Sequence, residues 1–177
     1  DNDASGTPDQ VWSGFVYNGS APTTGTFYID NFYTCVNAAE TLYDDCWNDG
    51  CIVSYDAATM TIQDQVNMEA KFTDLEKYGN YLFVASQMRG LTVFDVTDPT
   101  NIRYVSAYNT GDYETQNLAL SSDGQYAYIA NYNYGVVVLD ISTPTAPTEL
   151  GRVDSASGNS QIYDVIVAEN QTDTLYG

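Results

Sequence analysis

Apolar and polar positions alternate along most of this chain, and the alternation itself repeats. Gly79-Asn80 leads into Tyr81-Leu82-Phe83-Val84-Ala85, and Gly90 leads into Leu91-Thr92-Val93-Phe94-Asp95-Val96-Thr97-Asp98-Pro99. The pattern returns 45 residues later without a gap. Gly124-Gln125 precedes Tyr126-Ala127-Tyr128-Ile129-Ala130, and Gly135 precedes Val136-Val137-Val138-Leu139-Asp140-Ile141-Ser142-Thr143-Pro144. Gly79/Gly124, Gly90/Gly135, Asp95/Asp140 and Pro99/Pro144 all fall at this one offset. Short period-two runs are strands. Several such runs inside each long period predict an array of β-units.

The spacing predicts four strands per period, in the first over residues 72–76, 81–86, 90–96 and 102–108. Gly79-Asn80 and Asp123-Gly124 supply hairpin turns. Asp98-Pro99 and Thr143-Pro144 end a ladder and open a turn, because proline has no N–H to give. The near-continuous apolar runs around Val93 and Val138 suit strands buried on both faces. Full units are expected over about residues 60–104 and 105–149. A third begins at Leu150, passes through Tyr163-Asp164-Val165-Ile166-Val167 and reaches Thr174-Leu175-Tyr176-Gly177. Ile52-Val53-Ser54-Tyr55-Asp56 reads as the end of a preceding unit, with Asp56 in the place of Asp95 and Asp140. Upstream, Gly25 to Tyr33 alternates, and Ala38-Ala39-Glu40-Thr41-Leu42 has weak helical character. Three segments result: an acidic stretch 1–12, a short β and Cys-containing connector 13–49, and the repeats over 50–177.

The third strand of each unit and its tail resemble the LVIVD repeat, named for an apolar run ending in Asp and followed by Ser/Thr, Asp and Pro. Tyr81-Leu82-Phe83-Val84-Ala85 and Tyr126-Ala127-Tyr128-Ile129-Ala130 are also similar to the family's second strand. The resemblance implies an all-β fold of antiparallel four-stranded blades of β-propeller type. It implies a secreted or surface protein of bacterial or archaeal kind, with no catalytic residues. The repeat Asp is expected to cap the turn after its strand by accepting backbone N–H bonds. A closed propeller takes about four blades or more, whereas two and a half are legible here. Other copies of the chain, or further blades of a longer one, are therefore expected to cover the open faces, as an oligomer or a fibre.

Composition narrows the function. The 177 residues carry 24 acidic and 5 basic side chains, a net charge of −19. That argues strongly against nucleic acid and anionic membranes as partners. No apolar run is long enough to span a membrane as a helix. There is no His, which removes Ser-His-Asp and Cys-His catalysis and His-ligated metals. The 24 acids leave carboxylate-dependent glycoside hydrolysis as a distant alternative. Tyr108, Tyr113, Tyr126, Tyr128, Tyr132 and Tyr134 form a candidate platform for glycans or peptides; such residues more often serve as cross-strand pairs and half-buried blade surface.

Three further features bear on location. Asp1-Asn2-Asp3-Ala4-Ser5-Gly6-Thr7-Pro8-Asp9 resembles a thrombospondin type 3 calcium loop. Carried over by position, Asp1, Asp3, Ser5, the Thr7 carbonyl and Asp9 are the implied calcium ligands, since calcium takes six to eight oxygens. The rival reading is an acidic linker. Cys35, Cys46 and Cys51 are clustered. The turn-rich spacing suits Cys46–Cys51, with Cys35–Cys46 as the alternative and one thiol left over. Asn18-Gly19-Ser20 and Asn170-Gln171-Thr172 are glycosylation sequons. Residues 25–33 also resemble the closing strand of jelly-roll carbohydrate-binding modules. Together these point to a non-catalytic, extracellular or cell-surface repeat protein with a structural or adhesive role.

Overall fold

The structure is a computed structural model and describes residues 41–44, 50–87, 89–111, 114–132, 134–153, 161–168 and 175–176. Among the described residues there is no helix, and none therefore long and apolar enough to cross a membrane. The chain forms antiparallel sheets strung in sequence order. The first holds β1 (Thr41–Asp44), β2 (Cys51–Asp56) and β3 (Thr61–Asn67). The second is a four-stranded meander of β4 (Lys71–Tyr78), β5 (Tyr81–Gln87), β6 (Gly90–Asp95) and β7 (Arg103–Tyr108). The third repeats it with β8 (Asn117–Leu120), β9 (Tyr126–Ala130), β10 (Val136–Asp140) and β11 (Thr148–Val153). A two-stranded start of another follows in β12 (Ile166–Val167) and β13 (Leu175–Tyr176).

The register keeps the sequence repeat. Tyr81 pairs with Asp95 and Tyr126 with Asp140. A bulge falls at Val93/Phe94, at Val138/Leu139 and at Ser54/Tyr55, the same place in three sheets. Each bulge sharpens strand twist where the third strand meets the fourth. Thr41 pairs with Asp56 just as Tyr81 pairs with Asp95. This corrects the helical reading at its C-terminal end. Thr41 and Leu42 are in a strand, because a ladder with β2 outweighs weak helix propensity in so short a segment. The sheet thus reaches back to Thr41, ahead of residue 50. Residues 36–40 lie outside the described residues.

The cores lie between sheets. One joins Phe83, Ala85, Leu91 and Val93 to Leu118, Ile129 and Val137 of the next sheet. Another joins Ile52 to Phe72, Leu82, Val84 and Phe94. A smaller one packs Tyr128, Ala130 and Val136 against Val165. The central sheet is sandwiched, so β5 and β6 are buried on both faces. Their unbroken apolar runs follow from this. The first strands β4, β8 and β12 are neighbours in turn, which sets the sheets side by side like blades around an axis.

Candidate functional site

The repeat carboxylates act locally. Asp95 Oδ1 accepts the Thr97 N–H at 2.9 Å, and Asp140 Oδ1 accepts from the Ser142 N–H at 2.9 Å and its hydroxyl at 2.6 Å. Asp56 takes the N–H groups of Ala58 and Thr59 at 2.9 and 2.8 Å. Asp98 Oδ1 accepts from the Thr100 N–H at 2.9 Å and from its hydroxyl at 2.7 Å. These bonds hold all four carboxyls below the ordinary carboxylate range. The Thr97, Ser142 and Thr100 hydroxyls lead for Asp95, Asp140 and Asp98, and the Thr59 N–H leads for Asp56. The expected turn cap is what these residues form.

A second set of polar groups reaches from blade to blade. Asp74 and Asn117 hold the same place: each sits opposite an alanine of the second strand, Ala85 and Ala130. Asp74 Oδ2 accepts the Leu118 N–H at 2.9 Å, and Asn117 Oδ1 accepts the Val165 N–H at 3.2 Å. Each first strand is thus held by the side chain of the strand before it. On the outer strands Asp64 and Ser106 are equivalent, facing Ser54 and Val93. Asp64 Oδ2 accepts from the Ile102 N–H at 2.7 Å, and the Ser106 hydroxyl donates to the Pro144 carbonyl at 2.6 Å. Both bonds grip the Pro-containing turn of the following blade. Nothing in strand periodicity announces these links. The recurring Asp74-Leu75, Asn117-Leu118 and Asp164-Val165 pairs were the one available signal.

Beside the first strands runs a groove of about 410 Å³, lined by Asp74 and Glu76 of β4, by β8 and by residues 164–167. Near it stand the aromatic loops. Tyr132 and Tyr163 meet edge to face, with ring centroids 5.2 Å apart and planes at 80°. Tyr163 is 57% exposed and Tyr134 41%. Of the six platform tyrosines named from sequence, Tyr132 and Tyr134 are in this loop. Tyr128 is buried, Tyr126 packs beside it, and Tyr108 packs between blades with its hydroxyl on Glu149 at 2.8 Å. Tyr113 lies outside the described residues, and sequence reasoning passed over Tyr163.

Among the described residues no group of three or more Cys, Asp or Glu is arranged to hold a metal ion. The implied calcium ligands Asp1, Asp3, Ser5, Thr7 and Asp9 lie outside the described residues, as do Cys35, Cys46 and the sequon residues Asn18 and Asn170. Cys51 is buried at the start of β2 and is disulfide-bonded.

Successive four-stranded meanders, packed face to face with first strands adjacent, define a repeat of β-propeller blades. Residues 71–110 and 114–155 match the LVIVD repeat family. The match covers the two full sheets. No curated protein matches the sequence. Among solved structures, the crystal structure of the computationally designed Ika4 protein is similar, with a TM-score of 0.60 at 14% identity over 77% of this chain and 82% of that one. The β-propeller domain of Cps50 (Swd1) from Myceliophteria thermophila matches with a TM-score of 0.48 at 17% identity, over 64% of this chain and 38% of that one.

Proposed function

We propose that this is a non-catalytic extracellular repeat protein with a structural or adhesive role, acting through blade faces that pack on other copies of itself or on further blades. One observation carries the reading. Val105 and Tyr108 pack under the following blade. Their counterparts at the 45-residue offset, Leu150 and Val153, are 58% and 57% exposed. The last full blade therefore presents a face composed like a blade-to-blade interface. Apolar groups repeated at interface positions favour burial there.

The turn and surface carboxyls Asp56, Asp95, Asp98, Asp140 and Glu149 are shifted downward, the opposite of what the general acid of a glycosidase needs, and this supports a structural role for these five. An oxidising, extracellular setting is supported by the disulfide at Cys51 and by the −19 charge. Calcium at Asp1, Asp3, Ser5, Thr7 and Asp9, and sugars on Asn18 and Asn170, belong to the same proposal. A second reading, a binding module for glycans or peptides, is favoured by the exposed tyrosines of the loop that holds Tyr132 and Tyr134.

Sedimentation of the purified chain tests the proposal. The expected result is association at micromolar concentration that Leu150→Glu with Val153→Glu abolishes while the β circular dichroism persists. A well-folded monomer overturns self-assembly, and an intact native polypeptide mass near 19.5 kDa overturns further blades as the cover. A melting curve unmoved by chelator overturns the calcium loop.

A further inference from the structure

The aromatic corner has features the blade architecture does not require. Tyr132 and Tyr134 stand where the preceding blade has Gln87 and Arg89, and Tyr163, one blade further on, stands where the blade of Tyr132 has Gln116. The fold therefore closes the same loop without aromatics. Tyr132 has a backbone φ of 23°, a conformation that costs a bulky residue energy and is kept only where its surroundings enforce it. Two backbone contacts enforce it: the Ile162 N–H donates to the Tyr132 carbonyl at 2.7 Å, and the Tyr134 N–H donates to the Asn131 carbonyl at 2.7 Å. The rings are fixed as well. The Tyr163 hydroxyl donates to Gln161 Oε1 at 2.9 Å and lies 3.3 Å from the Tyr132 hydroxyl. Two phenol rings at 80° form two walls of a corner open to solvent on the Tyr163 side.

The electrostatics of this corner favour one ligand class. Aromatic faces are the negative side of the ring quadrupole. Glu114 is close enough for its charge to help push the Tyr132 phenol pKa up, behind the Tyr163 hydrogen bond, burial and the Tyr163 charge. No Lys or Arg contributes to that balance. The chain as a whole carries −19. An anion is repelled here, and a neutral ligand gains nothing from the field. We propose that the corner between Tyr132 and Tyr163 binds an alkylammonium group, either the head of a free quaternary amine or a methylated or plain lysine side chain. A cation held against two perpendicular rings within about 6 Å of each centroid draws on both quadrupoles. This site is independent of the assembly reading, because it lies on loops rather than on the open blade face.

Calorimetric titration of the full chain with choline and with its neutral isostere 3,3-dimethylbutanol tests it. Choline is expected to bind at about 1–10 mM and the neutral isostere at least about fivefold more weakly. Tyr163→Ala is expected to lose about fivefold or more of the choline affinity, whereas Tyr163→Phe retains it. Glu114→Gln is expected to weaken binding and flatten its salt dependence. Tyr163 is mostly exposed, so both variants should fold, with the circular dichroism spectrum as the check. Comparison with N-acetyl-trimethyllysine amide and N-acetyl-lysine amide separates the sources. Tighter choline marks a free amine, and a tighter lysine derivative marks a peptide. Equal binding of choline and its isostere, absence of choline binding, or binding of a neutral methyl glycoside in its place overturns the proposal.

Discussion

At the scale of single residues, backbone freedom and buried polar partners decide most. Gly79 and Gly90 both adopt positive φ, +56° and +82°. A Cβ at Gly79 meets nothing within 4 Å, while one at Gly90 lies 2.6 Å from the Tyr108 carbonyl oxygen and 2.7 Å from the Thr110 nitrogen. Gly79→Ala is therefore expected to cost about 1–2 kcal/mol, the left-handed penalty alone. Gly90→Ala adds a clash with backbone that cannot rotate away, and about 3 kcal/mol or more is expected. Urea denaturation of both variants checks the order. Asp74 offers a second comparison. It is 3% exposed and accepts the Leu75 and Leu118 N–H groups. Asp74→Ala orphans both donors, at about 2–4 kcal/mol. Asp74 uses one oxygen for each donor, so Asp74→Asn keeps one bond and turns an NH2 group toward the other N–H; a loss is expected in this variant as well. Unchanged stability in both variants contradicts a role as hydrogen-bond acceptor.

At the scale of elements, the turn after each third strand is held by an ionised carboxylate. The sign of its pH dependence follows. Asp95 and Asp140 titrate lower folded than unfolded, so their contribution is complete above the unfolded pKa near about 4 and is lost as pH falls through the folded one. Protonation also relieves the repulsion among −19 charges, which acts in the opposite direction. The two effects separate in a variant. Asn at both positions keeps the turn geometry without a titrating group. Subtracting the thermal midpoints of Asp95→Asn/Asp140→Asn from those of the parent is expected to leave a difference that shrinks as pH drops below about 4. A constant difference removes the carboxylates from the acid limb. On the alkaline side, burial pushes Tyr43 in β1 up to about 12. Its phenol stays protonated in the folded state after the unfolded one ionises near about 10, so stability is expected to fall across that interval.

At the scale of the whole molecule, stability depends on faces meeting. Each core cluster is shared between consecutive sheets, so no blade has a core of its own. Repeats of this kind gain stability from neighbour contacts, and end units are the weakest. Reduction of the disulfide at Cys51 is expected to loosen the first sheet before the two central ones, since β2 begins at that residue. Hydrogen exchange with and without reductant checks this: protection of β5 and β6 should outlast that of β2. Simultaneous loss in all sheets indicates one cooperative unit instead.

Much of this was legible in the residues. Strand positions, hairpin turns and the role of Asp95 and Asp140 are matters of local period and local hydrogen bonding, and both are written along the chain. The 45-residue repeat then required equivalent sheets, and β4 to β7 recur as β8 to β11. The same local rules misread Thr41 and Leu42, because a weak propensity says nothing of a strand waiting in β2. What tertiary structure alone decided is non-local. The Asp74 carboxylate meets an N–H 44 residues away. Tyr128 is buried while Tyr163 is exposed, although both are tyrosines in strand-like surroundings. Strand alternation assigns a residue to a face but does not say whether another blade covers that face. Coverage depends on how successive sheets stack, which no local pattern records.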